Sequence, residues 1–163
     1  GFIAPFYGNF AVIVRAYAYI LLLGREGLRR VSENAVLGAN YVQEKLKAHY
    51  DLPYDRHCMH ECVFSAARQM SEGVHALDIA KALIDRGIHP PTVYFPLIVK
   101  ESIMIEPTET ESKETLDRFI QVMIELAEQV EKDPESFHAL PVTRPVTRLD
   151  ETKAVKDMNL ASR

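Results

Sequence analysis

Four prolines, Pro90, Pro91, Pro96 and Pro107, fall within eighteen residues of this chain. Each fixes its own φ at about −65° and removes a backbone donor, and the residue before each is pushed toward extended conformations. The stretch they punctuate runs Asp85-Arg-Gly-Ile-His-Pro-Pro-Thr-Val-Tyr-Phe-Pro96 and resumes at Ile105-Glu-Pro-Thr-Glu-Thr-Glu-Ser-Lys-Glu-Thr115. This pattern predicts a helix ending at Gly87, a rigid polar corner, two short apolar runs and an acidic, hydroxyl-rich turn. Such a stiff, polar-tipped surface suits a shaped site better than an ordinary connection.

A length of 163 residues suffices for one substantial core and predicts a single domain. The net charge of −4, with both signs interspersed, gives no basic stripe for nucleic acid. Cys58 and Cys62 are too few for a disulfide framework, which makes a reducing cytoplasm the default location. The run Phe10 to Leu23 is apolar but short of the roughly 20 residues a bilayer requires, and Arg15 interrupts it, so no membrane span is expected. No charged region or small-residue cleavage site marks a signal peptide. A chain starting with Gly1 and passing straight into structured sequence is expected to be a piece of a longer protein.

Residues 10–23 are apolar almost all round, as in a helix buried by other layers. Gly24-Arg-Glu-Gly27 permits a break, after which Leu28, Val31, Ala35, Ala39, Val42 and Leu46 mark one face of an amphipathic helix. Residues 58–65 predict a strand followed by a polar loop. Ala76 to Arg86 predicts a helix capped by Gly87. Thr92 to Val99 and Ser102 to Glu106 predict two strands paired as a hairpin around Lys100-Glu101. Ser112 to Lys132 is the clearest helix, with a stripe of Leu116, Phe119, Ile120, Met123, Ala127 and Val130, and Asp133-Pro134 stops it. The Pro-Val-Thr-Arg doublet after Leu140 predicts an extended tail lying on a surface or waiting for one. The order specifies an α+β unit, a small antiparallel sheet with helices on one face.

Three constellations could carry chemistry. His57-Cys-Met-His-Glu-Cys62 suggests zinc, but same-face residues on a strand stand roughly 6.6 Å apart, too spread for one tetrahedral ion. No metal is expected, and the cysteines serve as small apolar residues, with His60 and Glu61 at a strand end facing a cleft. His89-Pro-Pro-Thr92 lies between a helix end and a strand start, where site residues often sit, although a solvated turn explains it as simply. Glu106 to Glu111 could hold an acid–base pair; Thr108 with Glu111 also fits a capping box. There is no phosphate-cradling glycine motif and no nucleophile elbow.

Phe6-Tyr-Gly-Asn-Phe10, Val14-Arg-Ala-Tyr-Ala-Tyr-Ile20, Met59-His-Glu61, Asp78-Ile-Ala-Lys81, the proline corner and Met104 to Asp117 together resemble the C-terminal part of the glycine cleavage system P-protein, most closely subunit 2 of its two-subunit bacterial form. The resemblance implies the small C-terminal domain of an aspartate-aminotransferase-like pyridoxal-phosphate fold, preceded by a long connecting helix. It divides the chain into 1–27, the end of a large domain and start of that helix; 28–139, the small α+β domain; and 140–163, an extended tail. It implies a glycine decarboxylase using pyridoxal phosphate, with P-protein subunit 1, lipoylated H-protein and glycine as partners. No residue here matches the family's cofactor lysine, so the piece is expected to be inactive alone and to hold no cofactor. His89, Thr92 and Thr108, then His60 and Glu61, are the expected cleft-facing residues. Self-association through Phe10–Leu23 is a further expectation. The alternative is a free-standing α+β protein-interaction module using the corner and the tail.

Overall fold

The computed structural model describes residues 8–158; Phe6, Tyr7 and the last five tail residues lie outside the described residues. Helix α1 spans Phe10–Leu46, with Asn9 accepting a hydrogen bond from the Ala11 amide at its start. Gly24, at φ 61 and ψ −173, breaks it into an apolar arm and an amphipathic second half. Such dihedrals are open essentially only to glycine. The second half buries Ala35, Ala39, Val42 and Leu46, whereas the arm, expected to be covered, stands exposed from Phe10 to Leu22.

Three strands, β1 (Cys62–Ser65), β2 (Thr92–Val93) and β3 (Ser102–Ile105), form an antiparallel sheet in the order β1-β3-β2. Cys62 pairs with Ile105 and Phe64 with Ile103. Strand alternation puts these four on one face, and all are buried in the core. Val63, Met104 and Thr92 line the other face, half-buried or exposed. Helices α3 (Ala76–Asp85) and α4 (Lys113–Lys132) join the core through Ile79, Leu83, Ile120, Met123 and Leu126. The α+β expectation holds in this form.

Several boundaries differ from expectation. The strand predicted over 58–65 starts only at Cys62, because Asn40 holds the Cys58 backbone from both sides, accepting from its amide at 3.1 Å and donating to its carbonyl at 2.8 Å. A short helix, α2 (Ala67–Ser71), which was not expected, intervenes between β1 and the polar turn at Glu72-Gly73. β2 ends at Val93 because Tyr94 turns to φ 60, and Glu101 at φ 49 closes a connection far longer than a two-residue turn. Thr108 forms no capping box: its φ of 61 is left-handed, and Ser112 caps α4 by accepting from the Thr115 amide at 3.1 Å. The Gly87 cap is present, with φ 70 and the Ile88 amide donating to the Leu83 carbonyl.

A 3₁₀ turn, Pro134–Ala139, follows α4, and a last short helix, α5 (Glu151–Lys156), ends the described chain. Between them the doublet lies on α3. The amides of Val142 and Thr143 donate to the Asp85 carboxylate at 2.7 and 2.9 Å. Arg148 donates to Asp78 at 2.6 Å and to the carbonyls of Phe137 and Leu140. The Asp78 side chain is only 4% exposed.

Arg148→Ala should cost about 1–3 kcal/mol in urea unfolding, since it takes one hydrogen-bond donor from the buried Asp78 carboxylate. Arg144→Ala, which removes one exposed bond to the Ile84 carbonyl, should cost under about 1 kcal/mol. Equal losses would contradict this division. Burial works to raise the Asp85 pKa, but hydrogen bonds from Thr143 and Val142 and the charge of Arg144 outweigh it and leave the value lowered. A lowered folded pKa contributes stability fully present above the unfolded value, about pH 4, and lost as pH falls through the folded one. The amide shifts of Val142 and Thr143 should therefore stay constant from neutral pH down to that range and move toward unbound values only below it.

Candidate functional site

The corner and the acidic turn, far apart in sequence, meet in one cavity of about 300 Å³. Strand pairing explains this: β2 begins just after Pro91 and β3 ends just before Glu106, so an antiparallel register sets both segments at the same end of the sheet. Gly87 to Pro91 form one wall and Ile105 to Pro107 another, with the first turns of α4 closing the third side. Ile88, Ile105, Leu116 and Phe119 give it an apolar floor, while His89, Glu106, Glu111, Thr115 and Arg118 supply polar groups. Arg118 is oriented by donating to the Arg86 carbonyl at 3.0 Å.

The expected site residues divide accordingly. His89 lines the cavity. His60 stands beside it, its Nε2 3.6 Å from Glu106 and 3.9 Å from Glu61, on a segment fixed to α1 by Asn40 and by Gln43, which donates to the Arg56 carbonyl. Thr92 does not line the cavity but sits on the open sheet face opposite Met104. Thr108 likewise stays outside, its hydroxyl 3.1 Å from that of Thr110. Thr115 and Arg118 join the site without having been singled out. Thr115 and Arg118, three apart in α4, share one side of its start, but nothing local in the sequence marks that side as facing a cavity.

A second, shallower hollow lies across the acidic turn, lined by Asn34, Gly38, Tyr41, Glu109, Glu111 and Lys113 among others. There Tyr41 and Lys113 both donate to Asp117 at 2.5 Å. Lys113 and then Tyr41 hold the Asp117 pKa low, while Asp117 and Tyr41 raise that of Lys113. Among the described residues no group of three His, Cys, Asp or Glu could hold a metal ion, and no helix is long and apolar enough to cross a membrane. No lysine lines the main cavity. The arrangement can bind and orient a small polar ligand and hold protons near it; it offers no amine or thiol as a nucleophile.

Residues 31–144 match the family model described as glycine dehydrogenase, C-terminal domain. The chain is 60% identical over 156 residues to the "Probable glycine dehydrogenase (decarboxylating) subunit 2" of Bacillus velezensis, covering 96% of this chain and 32% of that protein. It is 58% identical over the same length to the proteins of the same name from Bacillus licheniformis and Bacillus cytotoxicus, again 96% of this chain and 32% of theirs. The chain thus spans about a third of the length of the curated relatives it matches.

The two thiols at Cys58 and Cys62 should behave differently. Burial raises the pKa of both, but Cys62 is 1% exposed and its thiol is pushed far above the ordinary range, whereas Cys58 is only partly buried and less shifted. Maleimide at neutral pH should label Cys58 first, and Cys62 only after denaturant is added. Equal labelling rates in the native chain would contradict the packing described for β1.

Proposed function

The chain belongs to the glycine dehydrogenase C-terminal domain family, and from that premise we propose that it is the C-terminal part of a pyridoxal-phosphate-dependent glycine decarboxylase. The reaction releases carbon dioxide from glycine and passes the aminomethyl group to the lipoyl arm of H-protein, with P-protein subunit 1 as the companion chain in the cytoplasm. The observation that carries this reading is the single cavity shared by the corner and the acidic turn. Polar groups ring an apolar floor there, as in small-molecule sites. Its residues do not fit covalent attachment of the cofactor, because no lysine stands among them. The part assigned to this chain is to orient glycine and exclude water when the domain closes. His89, Arg118 and Glu106 are its polar contacts, with His60 and Glu61 at the rim.

Residues 28–139 then form the small domain of an aspartate-aminotransferase-like fold. Residues 1–27 end the large domain and start the connecting helix, and 140–163 are the tail. That the family model begins at residue 31 supports assigning the arm to a preceding unit. Nine large apolar side chains of the arm are at least 43% exposed, which suits enclosure by further protein and fits a free-standing module poorly.

In the complete enzyme with H-protein, His89→Ala and Arg118→Ala should each lower kcat/KM for carbon dioxide release from carboxyl-labelled glycine about tenfold or more. Lys156→Ala, on the exposed final helix, should leave it unchanged. All three within twofold of wild type would remove the cavity from the reaction. Borohydride reduction of this chain mixed with pyridoxal phosphate should give no stoichiometric, site-specific lysine label.

A further inference from the structure

We infer that the apolar arm is a movable strap, hinged at Gly24 and latched by Tyr19 to Glu109, whose position sets the acidic wall of the cavity. The hinge is encoded twice. Gly24 holds a backbone conformation closed to other residues, and a side chain built there would meet nothing within 4 Å. The bend is therefore set by backbone geometry and not by packing around that residue. At Gly27 the opposite applies: a Cβ would stand 2.9 Å from the Leu23 Cβ, so the bent form depends on a bare backbone there. Any side chain at position 27 pushes the arm open.

The latch is the Tyr19 hydroxyl donating to the Glu109 carboxylate at 2.5 Å. Among the described residues it is the one side-chain hydrogen bond from the arm to the rest of the molecule. Its existence requires the bend. Glu109 shares the shallow hollow with Asn34 and Leu37, and an unbroken helix would place Tyr19 about 22 Å along the axis from Asn34. The directions of the pKa shifts agree with the contact: the hydrogen bond raises that of Tyr19 and lowers that of Glu109.

Glu109 is also well placed to transmit a displacement. Its turn divides the two hollows, with Glu106, Pro107 and Glu111 facing the main cavity and Glu109 and Glu111 facing the other. Pro107 is buried against Gly38, which fixes the turn's first residues to α1. Beyond Pro107 the turn is exposed or half-exposed, with Thr108 in a left-handed conformation. Pulling on Glu109 would shift Glu111 while Pro107 stays fixed. The inference rests on the proposed enclosure of the arm only for what moves it. The coupling itself belongs to this chain.

Backbone amide NMR on this chain, at a concentration where light scattering reports a single species, tests it. Gly27→Ala alters neither latch residue, yet it should move the Glu109 and Glu111 amide resonances away from their wild-type positions while leaving those of β3 in place. Tyr19→Phe should do the same with an unchanged thermal midpoint, and so decides the matter should Gly27→Ala fold poorly. Glu109 and Glu111 resonances at their wild-type positions in Tyr19→Phe, or in a folded Gly27→Ala, overturn the strap. Failure of the decarboxylase reading would leave these resonances as they are, so the two can fail separately.

Discussion

Tyr50 is the point at which the layers of this molecule are tied together. Fully buried, it packs edge-on against Phe64 of β1 at 6.3 Å between ring centres and donates its hydroxyl to the Met123 carbonyl in α4 at 2.9 Å. Such an aromatic pair adds about 0.5–1.5 kcal/mol beyond its buried area, and the hydroxyl needs a partner once out of water. Burial alone pushes the phenol's pKa far up, so it remains a donor at any working pH. The consequence reaches the cavity. With α4 locked to β1 in its middle, its first turns are held beneath the end of β3, which brings Arg118 and Thr115 to the acidic turn.

The elements legible in the sequence were those whose stability is local. The α4 stripe, the Ser112 boundary and the Gly87 cap each involve residues within four or five positions, and the structure has them as expected. The misjudged ones depend on distant partners. β1 loses its first half to Asn40, eighteen residues away in the chain, and β2 stops where Ser102 donates its hydroxyl to the Phe95 carbonyl and accepts the Tyr94 amide on its own carbonyl. The candidate capping box at Thr108 had the right residue types but not the backbone, since an N-cap needs an extended conformation. The site divides the same way. The corner and the acidic turn announced themselves by proline and charge, whereas Arg118 looked like any solvated helix position until the register of β2 and β3 brought the corner over it.

The tail shows how a motif too short to be a structural repeat can still act twice. The first Pro-Val-Thr-Arg gives two backbone amides to Asp85, at the end of α3; the second gives Arg148 to Asp78, in its first turn. Asp78 also accepts from the His75 amide at 2.8 Å, and the neighbouring Ala76 amide donates to Glu101. The clamp therefore runs from the tail through the start of α3 to the loop that closes the β2–β3 pair. Its first half lies within the matched family model and its second half beyond it.

The body and the arm meet opposite physical demands. Among the described residues the buried hydrophobic core runs from Ala35 to Phe137, so the body closes its core without help from the arm. The arm's apolar residues point in all directions around the helix, and one flat partner would leave half of them wet. At about 25 cal/mol per Å² of apolar surface, the remaining exposure favours enclosure from at least two sides, as between the layers of a larger unit. A small domain attached through such a helix can pivot only where packing is sparse. Gly24, with open space where a side chain would stand, meets that condition, and among the described residues only the exposed bond from Tyr19 to Glu109 ties a side chain of the arm to the body, so little side-chain hydrogen bonding opposes a pivot there.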